Sequence, residues 1–350
     1  MLLGAESWDI FAVGDITDWW QFAGNNPTIV AGAGRCGSAA YHCNTTSGTG
    51  PAIGVNTSVD GGYCGFAIDT ATLTPAPNLL IISGAAGNPQ IILQIFPNGS
   101  IQCYSGPVFA SLDSRFLCAT PPGIITTGHY YHIGVEWLCV PVGGYVKIWV
   151  NSVLLGSVTG VNTRSGTAFA ASSPWRMLTF VGGQTYLDDV YWGDSSGSLY
   201  TGFLGDLRVE GQVVLTDAAG GGGTHHDFSP SSGTDHGALV DEIPPDDDSS
   251  YLESATVGAK ETFKFPNITL TSGTVYGIQL MPNVKKTDSG GRTIACLTLS
   301  GGNLFTGANK GPSQTHYNYQ PEMDQVDPTT GLPWTAVTAN AEEGGITITA

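Results

Sequence analysis

The sequence predicts an all-β protein, and three observations carry that prediction. The 350 residues include 49 glycines and 20 prolines while only 12% are charged, a composition typical of short strands separated by turns. No helical period of useful length appears before residue 330. In the stretch Tyr130–Val150, two runs rich in Val, Ile, Tyr and Trp flank a turn at Gly143 and Gly144, which indicates a β-hairpin.

The first 200 residues read as a series of strands between turn residues. The Pro-Asn-Gly tripeptide at 97–99 separates two apolar runs and predicts a hairpin. The predicted strands are Trp8–Val13, Tyr63–Ile68, Leu79–Ser83, Ile91–Phe96, Ser100–Tyr104, His129–Leu138, Tyr145–Val150, Arg176–Val181 and Tyr186–Trp192.

A domain boundary is predicted near residue 203, where the chain loosens into GDSSGSLYTGFL. The first domain therefore covers residues 1–203 and the second covers 204–350. A long polar tract, Asp217–Ser250, lies inside the second domain, and a short helix begun by a Thr is predicted over Thr335–Glu343. The strands predicted there are Asp206–Leu215, Glu261–Phe265, Val275–Met281, Arg292–Leu299 and Gly344–Thr349.

The charge balance is strongly acidic. There are 29 Asp and Glu against 12 Lys and Arg, a formal net charge of −17. Such a surface repels phosphate backbones and anionic lipids, so neither nucleic-acid binding nor membrane insertion is expected. The first residues lack the basic and apolar regions of a secretory signal, and no apolar run reaches bilayer length.

The seven cysteines are an odd number and include no Cys-x-x-Cys pair, which argues against a zinc or redox motif. Reduced, buried thiols are the favoured interpretation, in keeping with synthesis in a reducing cytoplasm. A bridge from Cys36 to Cys43 or to Cys64 is the alternative.

Catalytic patterns are not recognisable in the sequence. A glycosidase needs two facing carboxylates, whereas Asp188 and Asp189 are adjacent on a predicted strand and are expected to point to opposite faces. There is no Gly-x-Ser-x-Gly elbow and no phosphate-binding glycine loop. The expectation is that the chain is not an enzyme. One of the two aspartates is expected to cap a turn or bind a loop amide, with calcium binding as the alternative.

The remaining polar candidates lie in the tract of the second domain. His225, His226 and the later His236 match no metal spacing and are expected to be loop residues or a subunit contact. Asp246 and Asp248 belong to an acidic run that offers oxygen ligands for calcium but lacks a calcium-loop pattern. No cofactor is therefore expected, with Ca²⁺ as the one candidate.

Five aromatic residues are candidates for binding or interface contacts. Core packing is the first expectation for them, a subunit interface the second and stacking on sugar rings the third. They are Trp19, Trp20, Tyr130, Tyr317 and Tyr319.

Three short motifs of the first domain carry a family resemblance. They are Tyr131-His132-Ile133, the strand tip Val150-Asn151-Ser152, and Asp188-Asp189-Val190. Together they resemble the concanavalin A-like or laminin G-like jelly roll over about residues 1–200, although Ser152 stands where that family has glycine. The resemblance implies a jelly-roll sandwich, followed here by a second β-sandwich-like domain, and it makes Asn151 a candidate for binding at a loop tip.

The second domain resembles the C-terminal halves of structural proteins of tailed bacteriophages and prophages. The segments FLGDLRVE and QVDPTTGLPWTAVTANAEEGG carry this resemblance, which spans Phe203–Ala350. It implies a virion structural protein, made in the host bacterial cytoplasm, that acts by binding and assembly as a capsid decoration, head fibre or tail component. Expected partners are major capsid or tail proteins and further copies of the chain, with a trimer expected by analogy.

Two other functions stay open at this point. A lectin-like tail protein that recognises a host surface glycan is the alternative, because sandwiches of this kind display loops. A polysaccharide depolymerase is the least favoured, since no carboxylate pair is in place.

Overall fold

The computed structural model describes residues 1–12, 16–20, 27–43, 50–55, 57, 59–73, 78–84, 89–106, 115–164, 177–180, 184–271 and 273–350. The chain divides into two compact units, Met1–Glu210 and Gly211–Ala350. Regular structure in both units is almost entirely antiparallel β. The predicted all-β class is confirmed.

Helices are few and short among the described residues. The two α-helices, α1 (Ile16–Trp19) and α2 (Ala336–Asn340), have four and five residues. No described helix has the length and apolar character needed to cross a bilayer. Helix α2 begins as predicted, because the Oγ1 of Thr335 accepts the N–H of Thr338 at 3.2 Å.

The first unit has fourteen strands among the described residues. They are β1 (Leu2–Glu6), β2 (Pro27–Val30), β3 (Ala40–Cys43), β4 (Ala52–Gly54), β5 (Gly61–Thr70), β6 (Asn78–Ser83), β7 (Pro89–Ile95), β8 (Ile101–Ser105), β9 (Phe116–Ala119), β10 (Tyr131–Leu138), β11 (Gly144–Val150), β12 (Val153–Val161), β13 (Met177–Phe180) and β14 (Thr185–Asp194).

These strands form two antiparallel sheets. The eight-stranded sheet has the order β12-β11-β10-β5-β14-β3-β2, and β1 also pairs with β14. The six-stranded sheet has the order β4-β13-β6-β7-β8-β9. Buried side chains of both sheets share one core, with Trp137 and Ile148 from the first and Leu93 and Phe180 from the second. The first unit is therefore a sandwich of two sheets.

One predicted strand near the N-terminus is wrong. The strand lies at Leu2–Glu6, before the predicted Trp8–Val13, and Trp8 follows it with φ of 65°. The Trp8 ring is fully buried and stacks on Trp20 at 5.1 Å. Residues that looked like a strand because they are apolar are there to fill the core.

The second unit combines one sheet with several short ladders. The strands are β15 (Gly222–His226), β16 (Ser229–Pro230), β17 (Leu252–Glu253), β18 (Lys260–Phe263), β19 (Thr274–Val275), β20 (Ile278–Leu280), β21 (Asn283–Val284), β22 (Ile294–Ser300), β23 (Asn303–Thr306), β24 (Asn318–Tyr319), β25 (Glu322–Asp324), β26 (Trp334–Thr335) and β27 (Glu343–Ile348), with 3₁₀ turns at Asp217–Ala219 and Gly237–Leu239.

The sheet of the second unit has the order β15-β18-β27-β22-β23, and four two-stranded ladders accompany it. The predicted strand Asp206–Leu215 is wrong, because these residues have no regular structure. Residues 206–210 belong instead to the first unit, and residues 211–215 to the second.

A buried carboxylate in the second unit makes its stability depend on pH. The side chain of Glu342 is buried, and its Oε1 has no hydrogen-bond partner among the described residues. Burial, together with the nearby charges of Asp324 and Asp327, raises the pKa of Glu342 to about 8. The folded state therefore holds a proton that the unfolded chain releases near its ordinary pKa of 4.5.

We predict that Glu342→Gln stabilises the second unit at pH 8 and changes little at pH 5. The wild-type stabilisation is complete below about pH 4.5 and is lost as the pH rises through about 8, whereas glutamine does not ionise. Hydrogen exchange of the β22 and β27 amides at the two pH values measures the difference. Glu253→Gln, at an exposed position, is the matched control, and an equal effect of both variants would contradict the prediction.

Candidate functional site

The outer face of the eight-stranded sheet carries a row of polar and aromatic side chains. Thr28 lies opposite His42, His42 opposite Tyr186, and Tyr186 opposite Asp69 in the strand register. Directly paired residues lie on the same face of a sheet. Their chain neighbours Tyr41, Leu187 and Ile68 are core residues, so the row points away from the core.

Tyr130, just before β10, completes this group, which we call the polar row (Thr28, His42, Asp69, Tyr130 and Tyr186). All five side chains are half-buried, so each keeps part of its surface exposed. The rings of His42 and Tyr186 stack with centroids 4.3 Å apart and planes at 15°. The Tyr130 hydroxyl donates a hydrogen bond to the carbonyl of Ala33 at 2.7 Å.

One acceptor of the polar row lacks a donor. The Oδ1 atom of Asp69 is buried and has no hydrogen-bond partner among the described residues. Burial raises the pKa of Asp69, and it lowers the pKa of His42 below its ordinary value. A neutral imidazole offers one donor and one acceptor. The row therefore presents two stacked rings, one of them the imidazole of His42, beside the half-buried Asp69 carboxylate.

The other half of the outer face is covered by residues 200–210, which we call the strap. The Phe203 ring stacks on Trp149 at 4.6 Å and lies against Gly134, where a Cβ atom would come within 2.2 Å of the ring. The Phe203 N–H donates to Glu136 Oε2 at 3.3 Å. Two tyrosine hydroxyls of the outer face also hold the strap. Tyr191 donates to the carbonyl of Gly205 at 2.6 Å, and Tyr63 donates to the carbonyl of Tyr200 at 2.5 Å.

The strap includes residues beyond the boundary at 203 that the sequence suggested. Residues 204–210 belong to the first unit, and a buried ion pair accounts for their position. Arg35 Nε donates to Asp189 Oδ2 at 2.8 Å, and its other nitrogens bind Asp206 and the carbonyl of Leu207. The second oxygen of Asp189 accepts the Val209 N–H at 2.7 Å.

The ion pair depends on an irregularity in β14. This strand pairs with β3 through residues 185–187 and with β1 through residues 190–193, and the register shifts between these two stretches. At the shift, Asp189 has a φ of 50°. The Asp188 carboxylate accepts the N–H of Arg35 at 2.8 Å and the hydroxyl of Ser38 at 2.9 Å.

The expectation that Asp188 and Asp189 point to opposite faces is therefore wrong. The bulge and the left-handed backbone at Asp189 rotate the second side chain, so that both carboxylates bind the same residue, Arg35. Burial raises the pKa of both groups, and for Asp189 burial and the Asp188 charge raise it to about 6 against the opposing effect of Arg35. Both carboxylates also accept backbone N–H groups of loops.

Three predicted binding residues are buried or packed against a core. In the first unit, Trp20 is fully buried between Trp8 and Trp192, and Trp19 packs against the same core. In the second unit, Tyr319 is 7% exposed. These residues stabilise the fold, and their indole and phenol rings are not presented to a partner.

Asn151 and Tyr317 lie at the surface but already have internal contacts. Asn151 and Ser152 form the turn between β11 and β12 with φ of 47° and 64°, and Asn151 Oδ1 accepts the His132 N–H at 2.9 Å. The Tyr317 hydroxyl donates to Asp248 Oδ1 at 3.1 Å, and Lys285 lies over its ring at 4.6 Å.

The four calcium candidates belong to two different units. Asp188 and Asp189 belong to the first unit, and Asp246 and Asp248 to the second. Asp246 accepts the Ser250 hydroxyl at 2.7 Å, and Asp248 pairs with Lys285 at 2.6 Å. Calcium binding stays a prediction.

The histidines of the polar tract separate into two groups. His226 meets His236 and Glu261, with the three ligand atoms within 4.8 Å of one another. His225 is half-buried and takes no part in this cluster. The sequence pattern did not reveal the cluster of His226, His236 and Glu261, because these residues come from three separate segments.

All seven cysteines are free thiols, and Cys36 is the exposed one among them. The alternative of a bridge from Cys36 to Cys43 or Cys64 is therefore not seen. Cys43 and Cys64 belong to the sandwich core.

No protein-family model and no curated protein matches the chain. Several solved structures are similar to part of the chain. Domain 4 of AbnA, a GH43 extracellular arabinanase from Geobacillus stearothermophilus in complex with arabinotriose, matches with 16% identity and a TM-score of 0.37 over 58% of this chain and 93% of that one. Galectin LEC-6 of Caenorhabditis elegans matches with 10% identity and a TM-score of 0.29 over 44% and 96%.

A sialidase of Trypanosoma rangeli also matches, with 12% identity and a TM-score of 0.31, over 44% of this chain and about a quarter (25%) of the sialidase. These likenesses concern the fold alone. The two antiparallel sheets around one core make the first unit a jelly-roll sandwich, as the sequence resemblance implied. None of the three structures is a virion protein, so that expectation stays a prediction.

The expectation that the chain is not an enzyme is corrected by the same comparison. The matched structures include a sialidase and part of an arabinanase, which are enzymes, alongside a galectin. The likeness itself assigns no activity.

We predict that Arg35→Gln destabilises the first unit by about 3 kcal/mol at pH 7, because it leaves the Asp189 carboxylate buried without its cation. The loss should shrink at pH 5, since Asp189, with a pKa of about 6, is then protonated and needs no cation. Urea unfolding followed by tryptophan fluorescence measures it. Asp206→Asn, at a side chain 34% exposed, should cost less than about 1 kcal/mol; equal losses at both pH values would contradict the account.

Proposed function

We propose that the first unit is a carbohydrate-binding module and that the polar row is its sugar-binding surface. The observation that carries this proposal is the row itself: stacked aromatic rings beside a half-buried carboxylate. Sugars present apolar C–H faces to rings and hydroxyl donors to carboxylates.

The charge near the row favours neutral sugars over acidic ones. Asp69 lies in the row, and the carboxylates of Asp188 and Asp189 are close enough to raise the pKa of Tyr130 together with burial. Arg35, which pairs with Asp189, is already bound by Asp189, Asp206 and the carbonyl of Leu207. An anionic sugar would meet repulsion here. Neutral oligosaccharides are therefore the proposed ligands.

The strap supports the choice of the polar row over the remainder of the face. Three other aromatic residues of this face are Tyr63, Tyr191 and Trp149. The strap accepts hydrogen bonds from the two tyrosine hydroxyls, and Phe203 covers Trp149 and Gly134. The row lies on the β2-β3-β14-β5 side of the sheet, away from the strap's stacking contact on β10 and β11. A ligand can reach it without displacing the strap.

We predict that Tyr186→Ala and Asp69→Asn each weaken binding of a neutral oligosaccharide at least about tenfold, which corresponds to about 1.4 kcal/mol. A glycan array identifies the ligand, and titration calorimetry measures affinity while chromatography of the same samples detects any cleavage. Tyr145→Ala is the matched control, since Tyr145 lies on the outer face of β11 beyond the strap. Equal losses in Tyr145→Ala and Tyr186→Ala, or no binding of neutral glycans, would contradict the proposal.

A second proposal is the role in assembly that the C-terminal resemblance implied, as a component of a virion made in the bacterial cytoplasm. One observation favours it. Strand β12 is an edge of the eight-stranded sheet, contains neither charged residues nor proline, and exposes Val153 (56%) and Leu154 (49%). Edges are normally protected by such residues, and an unprotected edge can pair with another chain.

We predict that the full chain self-associates through β12 and that Leu154→Lys raises the dissociation constant at least about tenfold (about 1.4 kcal/mol). Light scattering coupled to size-exclusion chromatography measures the mass across a dilution series. Leu199→Lys, at another exposed leucine (42%), is the control. A wild-type chain that stays monomeric at high micromolar concentration would exclude this edge as an assembly contact.

A further inference from the structure

Two histidines in the second unit converge on one buried carboxylate oxygen. His226 at the end of β15 and Glu261 on β18 are direct cross-strand partners. The Nδ1 atom of His226 lies 2.9 Å from Glu261 Oε1, and the Nδ1 atom of His236 lies 2.8 Å from the same oxygen. The two rings meet edge to face, with centroids 5.0 Å apart and planes at 87°.

The position of His236 is set by a pair of aspartates. Asp217 Oδ2 accepts the N–H of His236 at 2.8 Å, and Asp235 Oδ1 accepts the N–H of Asp217 at 2.8 Å. Asp235 also accepts the Ala238 N–H at 3.0 Å. The loop that carries His236 is thereby held against the segment that precedes β15. Such outer hydrogen bonds hold metal ligands in place in many proteins.

Glu261 forms no ion pair with a Lys or Arg among the described residues, and its side chain is 1% exposed. Its second oxygen accepts the Phe228 N–H at 3.1 Å. A carboxylate removed from water needs a compensating positive charge. A metal ion held by Glu261 and the two imidazoles would supply that charge.

We propose that His226, His236 and Glu261 bind a divalent transition-metal ion, with Zn²⁺ as the first candidate. Zinc takes imidazole nitrogen and carboxylate oxygen at about 2.0–2.2 Å in a tetrahedron, which separates neighbouring ligand atoms by about 3.4 Å. The nitrogen atoms stand 2.8 and 2.9 Å from the oxygen. A movement of about half an ångström would bring each nitrogen–oxygen pair to that separation, and the three ligand atoms already lie within 4.8 Å of one another.

The ligand set also selects among metals. Imidazole suits zinc, nickel, copper and iron, whereas calcium and magnesium prefer all-oxygen sites. Three protein ligands leave the fourth position for water or a small ligand. The His226 side chain is 35% exposed and that of His236 is 12% exposed, so this position opens on the His226 side.

The test uses the full chain with Cys36→Ser as background, because the exposed Cys36 thiol is itself a zinc ligand. After chelator treatment and dialysis against Zn²⁺, elemental analysis should give one ion per chain. His226→Ala, His236→Ala and Glu261→Gln should each weaken the affinity more than about 100-fold, since changes in outer partners alone cost about 10–100-fold. His225→Ala, one residue away and outside the cluster, should leave it unchanged.

A second readout requires no variant of the cluster. Loading with Co²⁺ should give the strong visible d–d bands of a tetrahedral site, and Zn²⁺ should displace them. No stoichiometric uptake, an octahedral Co²⁺ spectrum, or equal losses in His225→Ala and His226→Ala would overturn the proposal. Near-UV circular dichroism confirms that each variant is folded.

Discussion

The arrangement of the first unit depends on the ion pair between Arg35 and Asp189. At the point where β14 changes partner from β3 to β1, Asp188 binds the loop 31–39 and Asp189 binds the Arg35 side chain and the strap. The two carboxylates and the Arg35 guanidinium are largely removed from water, so each of these charged groups requires its partners. This contact places the strap over one half of the outer face and leaves the polar row on the other half.

Buried carboxylates play a comparable part in the second unit. Glu261 organises two histidines, while Glu343 accepts Thr224 Oγ1 at 3.0 Å and Thr262 Oγ1 at 2.9 Å, joining β15, β18 and β27. The ladders of this unit are short, and its cluster of Phe228, Ala259 and Ile348 has three buried residues. Polar contacts hold neighbouring strands together beside such clusters, and the contacts of Glu261 create the metal site that we propose.

The features set by local sequence were predictable, and those set by register were not. The run rich in Val, Ile, Tyr and Trp after the Gly143-Gly144 turn predicted the strand that is seen as Gly144–Val150, and a Thr at the start of α2 was recognisable. The positive φ of Asp189 arises where two partner strands end, which no local pattern records. Likewise, His42, Tyr186 and Asp69 become neighbours only through strand pairing.

The central claim is that the uncovered half of the outer face binds a neutral sugar. Hydrogen exchange with mass spectrometry, comparing the free chain with the chain saturated by a neutral oligosaccharide, tests it most directly. The account predicts slower exchange in residues 27–43, 67–70, 128–131 and 184–187, with the strap unchanged. Protection confined to β11, β12 or the strap, or spread over the second unit, would contradict it.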